Sequence, residues 1–69
     1  MTESTSYTEQ EDERTGALRI YKGERLVAGA GLGSGEGWAW WSRVETSGRS
    51  VKAIDRDDAY AMARQSARK

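Results

Sequence analysis

Asp55, Asp57 and Asp58 fall within four residues, and oxygen ligands of this kind suit a hard cation such as magnesium. At neighbouring positions of a helix, however, three carboxylates point in different directions and do not converge on one ion. An aspartate at a helix start accepts the orphan N–H groups of the first turn, and further acids there match the helix dipole. The cluster therefore reads as the start of a helix, and no metal is expected. The chain contains no histidine and no cysteine. That excludes Ser–His and Cys–His nucleophiles, disulfides and, in practice, a structural zinc site. Lys52 and the tyrosines have no visible partner that would activate them. No catalytic residue and no cofactor is expected, and the chain reads as non-enzymatic.

The residues suited to binding are different ones. Arg19, Tyr21, Arg25, Trp41, Arg43 and Lys52 combine cations with aromatic rings. Such a set can meet phosphates while stacking on bases, or it can anchor a protein interface, where Trp, Tyr and Arg dominate the binding energy. A third arrangement is purely structural: Trp41 lies against Val27 or Tyr21 as a cross-strand pair, with Arg43 stacked on it. Whether these side chains share a surface depends on the elements that carry them.

Period-2 alternation supplies those elements. Ala17–Tyr21 (ALRIY) puts Leu18 and Ile20 on one side and Arg19 and Tyr21 on the other, as in a half-buried strand. Lys22-Gly23 makes a tight turn, since glycine takes positive φ without steric cost. Arg25–Leu32 then alternates again, with Leu26 and Ala28 inward and Arg25 and Val27 outward, which predicts an antiparallel hairpin. Gly29–Gly37 (GAGLGSGEG) has glycine at every second place. A glycine loop can bare its N–H groups to a phosphate, but that use needs a following helix or a basic side chain. Here a tryptophan-rich strand follows, so the stretch reads as a loose connection in which Gly29 and Gly31 mark a bulge. Trp38–Glu45 and Arg49–Ile54 read as two further strands around a Thr46-Ser47-Gly48 turn. Asp55 caps a helix over about Arg56–Ala67, whose stripe of Ala59, Met62, Ala63 and Ser66 has Tyr60 and Ala67 beside it.

The expected fold is α+β: a three- or four-stranded antiparallel sheet, β-β-β-β-α, with one C-terminal helix on one face. Leu18, Ile20, Leu26, Ala28, Trp38, Trp40 and Val51 would lie under the helix, and the six binding candidates would lie on the open face. Residues 1–15 hold five acids against one arginine, a net of −4, and residues 16–69 a net of +4. The first stretch has no aliphatic residue after Met1, so it is expected to be a disordered acidic arm that solubilises the domain or competes for its basic surface. Residues 16–69 are expected to form the folded domain. A chain of 69 residues buries only about 60% of its unfolded surface, so large aromatics must supply bulk and homodimerisation stays open. Neither a membrane span nor a signal peptide is apparent, and a soluble, cytoplasmic protein is expected.

From Trp38 onward, WAWWSRVETSGRSVKAIDRDDAYAMAR resembles the sheet-plus-helix arm-type DNA-binding domains at the N-terminus of phage-type integrases. It is also similar to small bacterial families of unknown function whose helix ends in an Ala-Arg repeat, as in Met62-Ala63-Arg64 and Ala67-Arg68. The integrase resemblance implies a sheet that enters the DNA major groove and assigns that contact to Trp41, Arg43 and Lys52. The expected function is thus a small binding module whose basic, aromatic sheet face contacts nucleic acid. The alternative is a protein-interaction module, adaptor or inhibitor, anchored by an exposed tryptophan.

Overall fold

The alternating stretches fold as strands of a single sheet in a computed structural model, which describes residues 6–33, 35 and 37–68. Five antiparallel strands follow one another in sequence order: β1 Tyr7–Glu11, β2 Leu18–Lys22, β3 Arg25–Gly33, β4 Gly37–Ser42 and β5 Val51–Lys52. One helix, α1 Arg56–Ala67, covers one face. The α+β class and the C-terminal helix agree with the alternation and the cap. The strand number differs from the expected three or four.

The extra strand comes from the stretch expected to be an acidic arm. Residues 7–11 pair along their whole length with β2, from Tyr7 opposite Lys22 to Glu11 opposite Leu18. Composition alone argues for disorder here, because no aliphatic residue is available to bury. The strand is held by other means. Its backbone completes the β2 ladder, Tyr7 packs against the core, and its acids find partners on the helix. The first five residues of the expected arm lie outside the described residues.

The β2–β3 hairpin turns at Gly23, whose φ of 65° only glycine adopts without strain. The bulge expected at Gly29 and Gly31 lies elsewhere. Ile20 faces Ala28 whereas Tyr21 faces Leu26, so Val27 is the extra residue. One inserted residue reverses which side the rest of the strand presents. Val27 packs against the core, and Leu26 joins Tyr21 on the open side, the reverse of the expected assignment.

The glycine-rich stretch is mostly sheet as well. Gly29, Gly31 and Gly33 pair with Trp41, Ala39 and Gly37, so the loose connection expected over Gly29–Gly37 is largely ladder among the described residues. At its other end β4 stops at Ser42, three residues before the expected Glu45. The Thr46 hydroxyl donates to the Ser42 carbonyl and accepts from its N–H, both at 2.9 Å, while the Ser42 hydroxyl accepts from Glu45 N–H. Side chains that satisfy the backbone locally compete with the ladder.

The core lies between sheet and helix. Leu18, Ile20, Ala28, Ala30 and Trp40 meet Ala59, Tyr60, Ala63 and Ala67. The small helix residues let α1 approach the bulky sheet residues, and Trp38 stands edge-on to Tyr60 with ring centroids 6.2 Å apart. Ser42 and Ser66 are fully buried, and their hydroxyls bond each other at 2.6 Å across the sheet–helix contact. The helix start is reciprocal: Asp55 accepts from Asp58 N–H, and Asp58 accepts from Ile54 N–H. The aspartate cluster thus serves capping. Among the described residues no group of three or more acids is placed to hold a metal, and no helix is long and apolar enough to cross a membrane.

Candidate functional site

Cross-strand register decides which of the six candidates share a surface. Gln10, Arg19, Gly29 and Trp41 form one row across β1 to β4. Thr8, Tyr21 and Leu26 form a second, and Gly31, Ala39 and Lys52 a third. Residues opposite one another point to the same side, and this side is the one α1 leaves open. Arg19, Tyr21, Trp41 and Lys52 therefore lie together on the open face.

The other two candidates stand differently. Arg25 was expected on the open face, but the bulge carries it to the opposite side. It pairs with Lys22 and lines a groove with Val27, Val44 and Ala67 beside the end of α1. Arg43 follows β4 at the end of the sheet, and its guanidinium Nε donates to the Leu26 carbonyl at 2.6 Å. It borders both a hollow beside Trp41 and the groove of Arg25. Arg43 thus belongs to the rim, held against the backbone, and does not stack on Trp41.

Trp41 is half-buried because Gly29 lies directly across from it. A Cβ at Gly29 would stand 2.5 Å from Trp41 Nε1 and 2.9 Å from the Leu18 carbonyl oxygen, so the indole edge occupies the place of a side chain. This differs from the expected partners Val27 and Tyr21. Beside the indole runs a groove of about 310 Å³, bordered by Arg19, Leu26, Gly31, Ala39, Trp41 and Ser50. Leu26, Gly31 and Ser50 were not singled out from the sequence. The bulge hides Leu26 from a period-2 count, and the alternating glycines read as a loose connection.

The charge distribution is one-sided. No Asp or Glu occupies a strand position on the open side among the described residues, where Arg19 and Lys52 are exposed. The acids of β1 alternate onto the helix side. Glu9 accepts from Arg64 Nε and Nη2, both at 2.9 Å, and those bonds hold its carboxyl below the usual glutamate range. Tyr60 donates to the Gly16 carbonyl and to Glu11, and burial together with the Glu11 charge pushes its phenol up. Arg56 and Arg64 lie over the Tyr60 ring, 5.2 and 5.4 Å from its centroid. The expected competition of the acidic stretch for the basic face does not fit Glu9 and Glu11, which are engaged behind it.

Comparison with family models, curated proteins and solved structures finds no match to the chain.

Proposed function

We propose that the chain is a small, non-enzymatic binding module whose open sheet face contacts nucleic acid. The carrying observation is the row-by-row register, which brings Arg19, Trp41 and Lys52 side by side on a face with no strand acid. Phosphate oxygens would meet the two exposed cations, with Arg43 at the rim. Tyr21 and Trp41 supply aromatic surface between them. Arg25 is withdrawn from this surface, leaving a binding set of Arg19, Tyr21, Trp41, Arg43 and Lys52. The sequence resemblance of residues 38–64 to integrase arm-type domains is likewise to nucleic-acid binders.

The test is a titration with mixed single- and double-stranded oligonucleotides at low salt, followed by backbone amide shifts. Shifts should cluster at Arg19, Tyr21, Trp41 and Lys52. Affinity should fall linearly in log–log with added salt as phosphate contacts release counterions. Silence of all strand residues at about 0.1 mM protein, the weak end of non-specific binding, would sink the reading. A protein partner anchored by Trp41, with its shallower salt dependence, would then be the account to pursue.

A further inference from the structure

We infer that the groove beside Trp41 takes a single unpaired nucleobase, which makes the ligand single-stranded nucleic acid rather than duplex. This rests on the nucleic-acid reading above and narrows it. Three observations lead to it. First, the groove is floored by the least bulky positions of the sheet, Gly31 and Ala39, with Trp41, Leu26 and Arg19 beside them. The centre of the face is therefore recessed. Reading a duplex major groove needs an element that projects into a channel roughly 8.5 Å deep. Second, the volume of about 310 Å³ sits at the small end of ligand pockets, which run roughly 300–1,000 Å³. That admits one planar ring system but no paired step. Third, the lining is mostly apolar and includes an indole, with Ser50 and Arg19 also bordering it. A base offers a π-face to an indole only when it is unstacked. Arg19 and Lys52 lie on either side of this recess, in adjacent outward rows on β2 and β5. That placement suits the phosphates flanking the inserted base.

Gly31 offers a clean probe. A Cβ there would meet only Ala17 Cβ at 3.7 Å, an ordinary contact. Gly31→Val should therefore fold and yet fill the floor of the groove. The experiment measures binding of the full chain, Gly31→Val and Trp41→Ala to three probes of about twelve nucleotides, a length within the usual range of single-strand sites. The probes are a mixed-sequence DNA single strand, the same strand closed in a duplex, and its RNA counterpart. Circular dichroism of each variant confirms folding.

The full chain should bind one or both single strands at least about ten-fold more tightly than duplex. Each variant should lose roughly ten-fold or more of that affinity, the scale of one lost base stack. The two single-strand arms tell DNA from RNA. Duplex bound as tightly as single strand would overturn this inference and leave the nucleic-acid reading standing. So would folded Gly31→Val binding single strands like the parent chain, which would remove the base from the groove. Binding of none of the three probes would overturn both.

Discussion

The two faces of the sheet are built from the same five strands but treat charge in opposite ways. On the helix side, polar groups are consumed. Glu9 holds Arg64, Glu11 and Gly16 hold Tyr60, and Ser66 holds Ser42. On the open side, Arg19 and Lys52 have no acid beside them in the strands, and glycines keep the surface recessed beside Trp41. Alternation along β1 produces this division. Its odd-numbered residues, Tyr7, Glu9 and Glu11, face the helix, while Thr8 and Gln10 face outward. A strand with a net acidic composition thereby adds no acid to the strand positions of the outer face among the described residues. The lesson is that overall charge says little about a sheet, because period 2 can sort the signs onto separate faces.

Trp40 against Trp41 is the sharpest way to break that comparison. Trp40 is 6% exposed in the core, whereas Trp41 is half-buried on the outer face. Trp40→Ala should cost about 3–5 kcal/mol, the usual scale for a buried large aromatic, and should unfold so small a domain. Trp41→Ala should stay folded. Thermal melts that reversed this order would mean the faces are assigned the wrong way round, and the binding surface would fall with them.

Removal of residues 1–11 comes next. On composition this stretch should be dispensable. In the structure its loss strips an edge strand from β2, uncovers the part of the core beneath Tyr7, and frees Arg64 and Tyr60. A drop of about 2 kcal/mol or more is expected, given that full burial of one large apolar side chain alone is worth roughly 1.5–3 kcal/mol. Urea melts that coincide with those of the full chain would show that the strand is ornamental and that the acids need not be held behind the sheet.

A smaller effect separates two glycines of β3. Gly29→Ala would drive a methyl into Trp41 Nε1 and the Leu18 carbonyl, and a backbone oxygen in the middle of the sheet cannot retreat. The cost should be about 1–3 kcal/mol, as for other overpacked sites, with Trp41 displaced outward and its fluorescence shifted. Gly31→Ala has room and should be neutral or mildly stabilising, since alanine costs less backbone entropy than glycine. Equal melting points for the two variants would remove the argument that the indole is seated on Gly29.

How much of this could be read beforehand differs by element. The helix was legible to its ends, because Asp55, the acids of the first turn and the alanine stripe all point to one answer. The β2–β3 hairpin followed from alternation around Gly23, and alternation along β4 turned Trp38 and Trp40 to the helix side, where Trp40 is buried and Trp38 partly so. Three features were not legible. The bulge at Val27 inserts one residue with no signal of its own, since neither Leu26 nor Val27 is out of place on either face. That single residue moved Arg25 out of the site and Leu26 into it. Strand β1 has the composition of a solvated tail, and it becomes a strand only because β2 offers an open ladder and the helix offers Arg64 and Tyr60. The glycines of β3 have poor strand propensity, so Gly29–Gly37 reads as a loose connection even though Arg25–Leu32 alternates. Their place in the sheet depends on pairing with β4, from Gly33 opposite Gly37 to Gly29 opposite Trp41, a partner that the sequence of β3 itself does not contain.

The smallest effect concerns the acid limb of stability. Glu9 has its carboxyl held below the ordinary value of 4.5, first by its hydrogen bonds to Arg64 and then by the charges of Arg64 and Arg68. A carboxyl whose pKa is lower in the folded state contributes stability that is present above the unfolded value. That contribution is lost as pH falls from about 4.5 through the folded value, because the unfolded chain then takes up a proton more readily. The pair is partly exposed, at 47% for Arg64 and 34% for Glu9, so solvent screens it and its worth is roughly 0.2–1 kcal/mol. Glu9→Gln should therefore lower stability by that amount at pH 7 and flatten the decline as pH falls below the ordinary carboxyl value of 4.5, while added salt should shrink the difference between the two proteins. Denaturant midpoints measured across that range decide it. Parallel acid limbs for the two proteins would show that Glu9 does not hold β1 to the helix, and the proposed sorting of acids away from the open face would then rest on backbone pairing alone.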